Sequence, residues 1–109
     1  TINADDATAN DRTLTITAGT GTVTFGGNIG TTQALADLDV TAATINLAGA
    51  TVQVDDQGGN TATFTGAVVL QNNVTIDTDG AADNSLSFTS TINADDATAN
   101  DRTLTSNGQ

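Results

Sequence analysis

The first fifteen residues, TINADDATANDRTLT, return unchanged at 91–105, and no other feature limits the possible folds as tightly. Self-similarity at a fixed period marks an array whose units bury their apolar faces against one another. Residues 1–90 therefore read as one full unit and 91–109 as the start of the next. The match ends where Ser106-Asn107-Gly108-Gln109 replaces the Ile16-Thr17-Ala18-Gly19 that periodicity requires, so the second unit has a divergent end.

Within the unit, apolar and hydroxyl residues alternate. The pattern runs through Thr13-Leu14-Thr15-Ile16-Thr17, Thr22-Val23-Thr24-Phe25, Thr44-Ile45-Asn46-Leu47, Thr51-Val52-Gln53-Val54, Thr61-Ala62-Thr63-Phe64, Val74-Thr75-Ile76 and Ser85-Leu86-Ser87-Phe88. Period two puts one set on each face of a strand. Gly, Asn and Asp cluster between these runs, at 18–21, 55–60 and 77–84, with the chemistry of turns. Helix is disfavoured by 23 Thr, 11 Asn and 11 Gly. Only Gln33-Ala34-Leu35-Ala36-Asp37-Leu38 tolerates a helical turn or a loop.

Three blocks align on phenylalanine, at Thr22 to Ile29, Thr61 to Val68 and Ser85 to Ile92, each preceded by an apolar-x-apolar strand. The alignment predicts about 22 residues per coil and four coils per unit, a suitable circumference for a parallel β-helix. The expected fold is thus all-β: a parallel β-helix (β-solenoid), right-handed and uncapped, with Phe25, Phe64 and Phe88 in one internal ladder. An antiparallel sandwich repeated as beads is the alternative, and the scarcity of two-residue hairpin turns counts against it.

Composition removes whole classes of function. Val, Ile, Leu and Phe make up about a fifth of the chain and the net charge is -11, near the disordered regime, but Pro, Glu and Lys are absent and β-branched residues abound. Thirteen Asp face only Arg12 and Arg102, which repels nucleic acid and anionic lipid. No apolar run is long enough to insert into a membrane as a helix, and residues 1–20 lack the basic and apolar regions of a signal peptide. With no Cys there are no disulfides or thiolate metal sites. Without His, Cys, Lys or Tyr the usual nucleophile and base pairs cannot be assembled, and the absence of Trp and Tyr leaves no sugar-stacking cleft, so no enzyme is expected.

The stretch Gly21-Thr-Val-Thr-Phe-Gly-Gly-Asn-Ile-Gly30, the Leu-x-x-Leu-Asp-Val-Thr-Ala-Ala-Thr-Ile segment from Leu35, and the Phe64-Thr-Gly-Ala-Val and Val74-Thr-Ile-Asp blocks resemble repeats of giant bacterial surface proteins of the filamentous-haemagglutinin-like type. The resemblance spans essentially the whole unit. It implies a secreted β-helical stalk at the bacterial cell surface, serving adhesion, biofilm or matrix, and it transfers no catalytic or binding residue.

Cations are the natural small partners of so acidic a chain. Asp77-x-Asp79-Gly80-x-x-Asp83-Asn84 loosely resembles a calcium loop, though it lacks an early Asp and the Glu of the EF-hand pattern. The same residues also suit an Asp/Asn-rich turn. Asp95 and Asp96, with Asp5/Asp6 and Asp55/Asp56, follow apolar strand residues and could line one corner where divalent cations bridge them. Structural calcium is therefore the candidate cofactor, with Asp77, Asp79, Asp83, Asp95 and Asp96 as candidate ligands. Arg12 and Arg102 are expected to pair with an Asp of a neighbouring coil. The outward Thr13/Thr15/Thr17, Thr22/Thr24 and Thr61/Thr63/Thr65 form a hydroxyl and methyl surface of the kind that ice-binding solenoids present, interrupted here by Asn46, Gln53, Ser85 and Ser87.

The expected function is structural: a repeat of an extracellular or cell-surface fibre whose partners are neighbouring repeats or copies of itself, added head to tail by strand pairing. A calcium-dependent adhesion module is the alternative, followed by an ice binder.

Overall fold

The structure, a computed structural model, describes residues 1–5, 12–54, 61–78, 85–96 and 101–107. Among the described residues there are nine strands: β1 (Thr13–Thr17), β2 (Thr22–Phe25), β3 (Asp37–Leu47), β4 (Thr51–Gln53), β5 (Thr61–Leu70), β6 (Val74–Asp77), β7 (Ser85–Phe88), β8 (Ile92–Ala94) and β9 (Leu104–Asn107). They begin where the alternating Thr, Val, Ile and Leu residues begin, because branched side chains lose little freedom on a pleated surface. No helical turn forms at Gln33 to Leu38; Leu35 instead bridges Val54, and β3 starts at Asp37.

Every pairing between these strands is parallel. The larger sheet has the order β1-β3-β5-β7, with β2 also beside β3 and β8 also beside β5; the smaller has the order β4-β6-β9. Two continuous strands, β3 and β5, are thus flanked on either side by split ones. The register is regular: Leu14, Leu38, Ala62 and Leu86 stand side by side, as do Ile16, Val40, Phe64 and Phe88, each residue 24 positions after the last. A second set of rows runs Val23, Ile45, Val68, Ile92 and Phe25, Leu47, Leu70, Ala94.

The parallel β-helix of about four coils per 90 residues is corrected by this topology. The described residues form two separate parallel sheets, and no solenoid wall joins them. The chain leaves the larger sheet after Leu47 and Leu70 and enters the smaller at Thr51 and Val74, so each passage ends one sheet and begins another. A further line of contact, which a closed coil requires, is reduced to the isolated bridges Ile2–Ile29, Ile29–Val52 and Leu35–Val54. The phenylalanine alignment also misplaces one residue. Phe64 and Phe88 stack, with centroids 5.1 Å apart and planes at 12°, whereas Phe25 lies beside Leu47 in the other set of rows. An inward position accepts any apolar side chain that fills it, so Ile16 and Val40 occupy the places that phenylalanine identity would have assigned elsewhere.

Inward residues of both sheets join one core, in which Phe64, Leu38, Ile45, Val68 and Ile76 are completely buried. Each such side chain contributes about 1.5–3 kcal/mol relative to exposure. Asparagines hold the passages between sheets. The Asn28 side-chain carbonyl accepts the Ala50 and Thr51 N–H groups at 2.9 and 3.1 Å, Asn72 donates to the Ala48 carbonyl at 3.1 Å, and Asn73 accepts from the Thr103 N–H at 3.1 Å. These bonds satisfy backbone groups that the interrupted ladders leave without strand partners.

The central ladder contains one irregularity. Thr41 pairs with Thr65 and Thr44 with Ala67, so Ala42 and Ala43 together oppose Gly66 in a β-bulge. The extra residue shifts the inward phase of β3 from Leu38, Val40 and Ala42 to Ile45 and Leu47, while β5 keeps Ala62, Phe64, Val68 and Leu70 in phase. Gly66 has φ 134°, and a Cβ there would collide with the Ala42 carbonyl oxygen. Gly66→Ala is expected to destabilise the protein by about 2–3 kcal/mol, read as a lower urea midpoint; an unchanged midpoint would show that the bulge relaxes freely.

Candidate functional site

Charge is unevenly placed on the two sheets. The strands with a neighbour on both sides carry the acids: Asp37 and Asp39 lie on β3 and Asp77 on β6. The outer strands β1, β2, β7 and β8 of the larger sheet read TLTIT, TVTF, SLSF and INA, and the outer β4 and β9 of the smaller read TVQ and LTSN, with no charged residue in any of them. Natural sheet edges are commonly guarded by charge, proline or a bulge. Here, in a chain of net charge -11, the edge strands have neither charge nor proline.

Most apolar residues of these outer strands are the incompletely covered ends of the core, while Phe25 on β2 and Val52 on β4 are buried. Leu14, Ile16 and Val23 at one end, and Leu86, Phe88 and Leu104 at the other, are partly buried and pack against it. Ile2 and Ile92, the same position in the two copies of the repeated segment, remain 38% and 37% exposed. A groove of about 340 Å³ opens beside β2, lined by Thr1, Ile2, Thr24, Phe25, Gly26, Gly27 and Asn28. Its side chains are apolar, amide and hydroxyl, so they offer shape and hydrogen bonds without a charged side chain.

The repeated segment carries a second device. Arg12 donates to both carboxylate oxygens of Asp5, Nε to Oδ1 and Nη2 to Oδ2, each at 2.8 Å. Arg102 does the same to Asp95 at 2.9 and 3.0 Å. The expected pairing with a neighbouring coil is thereby corrected: each Arg clamps the Asp seven residues before it, within its own copy. The pairs differ in shelter, with side-chain exposures of 53% and 61% for Arg12 and Asp5 against 22% and 26% for Arg102 and Asp95. The hydrogen bond from Arg102 holds the Asp95 carboxyl below its ordinary pKa and raises the Arg102 pKa; Arg12 lowers that of Asp5 in the same way.

The two copies do not occupy equivalent places. In the first, Ile2 bridges Ile29, which bridges Val52 of β4, and Leu14 belongs to β1 of the larger sheet. In the second, Ile92 belongs to β8 of the larger sheet and Leu104 to β9 of the smaller. The order of sheets is therefore reversed between identical sequences.

Of the candidate calcium ligands, Asp77 ends β6 and its backbone carbonyl accepts the Val54 N–H at 2.9 Å. Asp95 is engaged by Arg102, and Asp96, the next residue, is exposed. Asp79 and Asp83 lie outside the described residues. Among the described residues no three carboxylates gather into a group able to hold a metal ion. Asp37 has a local task, its carboxylate accepting the Thr61 N–H at 2.6 Å and the Thr61 hydroxyl at 3.3 Å. The outward threonine rows are crossed by acids, since Thr15, Asp39, Thr63 and Ser87 share one row. Uncharged edges and the Arg–Asp clamps were not singled out from sequence, although the seven-residue Asp-to-Arg spacing in both copies was visible there.

Compared with family models, curated proteins and solved structures, the chain matches none.

The clamp has a defined pH signature. A carboxyl whose folded pKa is depressed contributes stability that is present above its unfolded pKa and is lost as pH falls through the folded value. The melting-point gap between the parent chain and Asp95→Asn is therefore expected to be positive at pH 7 and to close as pH falls below about 4. The corresponding gap for Asp5→Asn, at the more solvated pair, is expected to be smaller at every pH. A gap for Asp95→Asn that persists at pH 2 would show that the carboxylate charge is not what the clamp uses.

Proposed function

We propose that this chain is a structural repeat of a secreted bacterial fibre, a cell-surface stalk or matrix filament whose units add head to tail by strand pairing. The observation that carries the reading is the parallel direction of every strand pairing, combined with uncharged strands on both outer edges of the larger sheet. Parallel order makes the two edges different surfaces. A contact between unlike surfaces propagates instead of closing into a pair. The exact repetition of 1–15 at 91–105 supports the same reading, because an array is built by reusing its joints.

The acidic residues fit a supporting role. Among the described residues, Asp37 holds the Thr61 backbone N–H, and Asp5 and Asp95 are held by the Arg clamps. The resemblance of the Phe64-Thr-Gly-Ala-Val and related blocks to filamentous-haemagglutinin-like repeats supports an extracellular stalk as the setting.

Self-association should be opposed by the net charge and strengthened by salt, which screens exposed charges beyond about 8 Å at physiological ionic strength. Sedimentation velocity is expected to show oligomers that grow with protein concentration and with sodium chloride. A chain that stays monomeric at every concentration and salt level would overturn the head-to-tail reading.

A further inference from the structure

The head-to-tail reading leaves open which edge meets which, and in what register. The geometry points to one joint, and we propose it: the β7 and β8 edge of one copy pairs in parallel with the β1 and β2 edge of the next. In this joint Leu86 lies opposite Leu14, Phe88 opposite Ile16, Ile92 opposite Val23, and Ala94 opposite Phe25. The inference rests on head-to-tail assembly and names the surface and the partner, a second copy of this chain.

Three observations carry it. The first is continuity with the pairing already inside the molecule. The rows Leu14, Leu38, Ala62, Leu86 and Ile16, Val40, Phe64, Phe88 repeat without a slip across three consecutive strand pairings. The next member of each row, taken from a second copy, is its own Leu14 or Ile16. The rows Val23 to Ile92 and Phe25 to Ala94 continue in the same way.

The second observation is chemical. The joint sets apolar against apolar on the inner side, covering Leu14, Ile16, Val23, Leu86 and Phe88, which are only partly buried in the single chain, and Ile92, which is exposed. Phe88 stacks on Phe64, and in the joint the following row places Ile16 beside Phe88. On the outer side the joint sets Ser85 and Ser87 against Thr13 and Thr15, pairs that can exchange hydroxyl hydrogen bonds without burying charge. The third is the distribution of acids: a one-residue slip would turn the apolar sets outward, and Asp37 and Asp39 are kept on β3, away from the contacting strands. The groove beside Phe25 and Ile2 lies next to where Ile92 and Ala94 would arrive.

The test uses the absence of cysteine in the chain. In the double variant Thr15→Cys with Ser87→Cys, the two thiols lie in one row but three strand spacings apart within one molecule, about 14 Å, too far to bond. In the joint they are directly opposite, about 5 Å between backbones, within disulfide reach. Mild oxidation is expected to give a ladder of covalent dimers, trimers and higher species. Thr24→Cys with Ser87→Cys, off the row, is expected to give at least about tenfold less. A third variant, Ser87→Asp, whose row neighbour within the molecule is the uncharged Thr63, puts a charge into the joint and is expected to weaken association by about tenfold or more while leaving the β spectrum unchanged. Association by sedimentation without a Thr15–Ser87 ladder would overturn this register and leave head-to-tail assembly standing. No association of the parent chain at all would overturn both.

Discussion

Strands β3 and β5 lie side by side over eight paired residues, and this parallel ladder is what everything else leans on. Parallel strands cannot be joined by a tight hairpin, so the chain must travel away and return before each new pairing. The return journey is where the smaller sheet and the asparagine-held passages are found. The ladder also sets the geometry of the core. Because β3 and β5 present inward side chains at every second residue on either side of the bulge, rows of Leu, Val, Ile, Ala and Phe stack across the sheet and exclude water at their centre.

Burial is graded along those rows. Residues on β3 and β5 are covered from both sides, while their continuations on β1, β2, β7 and β8 are covered from one. A sheet with so little charge on its strands would ordinarily be an aggregation hazard. Among the described strands the acids Asp37, Asp39 and Asp77 lie on the inner β3 and β6, so charge and edge chemistry belong to different strands. The bulge at Gly66 adds a local constraint to this arrangement: it lets β3 carry one more residue than β5 and still return Ile45 and Leu47 to the core.

Much of this was legible in sequence because alternation is a direct readout of a half-buried strand. The runs at Thr13 to Thr17, Thr22 to Phe25, Thr51 to Val54, Val74 to Ile76 and Ser85 to Phe88 all fall on strands or bridges. What alternation does not encode is which strand lies next to which. The alignment on Phe25, Phe64 and Phe88 predicts a coil of about 22 residues, whereas the packing sets Phe64 in one row with Val40 and Ile16 and forms two sheets. Strand length was hidden for a related reason: Ala42-Ala43 and Gly66 break the pattern locally, yet β3 and β5 run through them because the bulge restores the phase. The partners of Arg12 and Arg102 were missed because distance along the chain was discounted in favour of an imagined neighbour across a coil. The uncharged edges were in plain sight as letters, but an edge exists only once the order of strands is known.

The repeated segment has one more consequence. Fifteen identical residues deliver their isoleucine beside one sheet and their leucine to the other in the first copy, and reverse the assignment in the second. Such a stretch has no address of its own; it takes up whichever neighbour is there to receive it. The same fifteen residues thus serve two different positions in one fold, so a duplication of this stretch can be accommodated without any residue having to be redesigned.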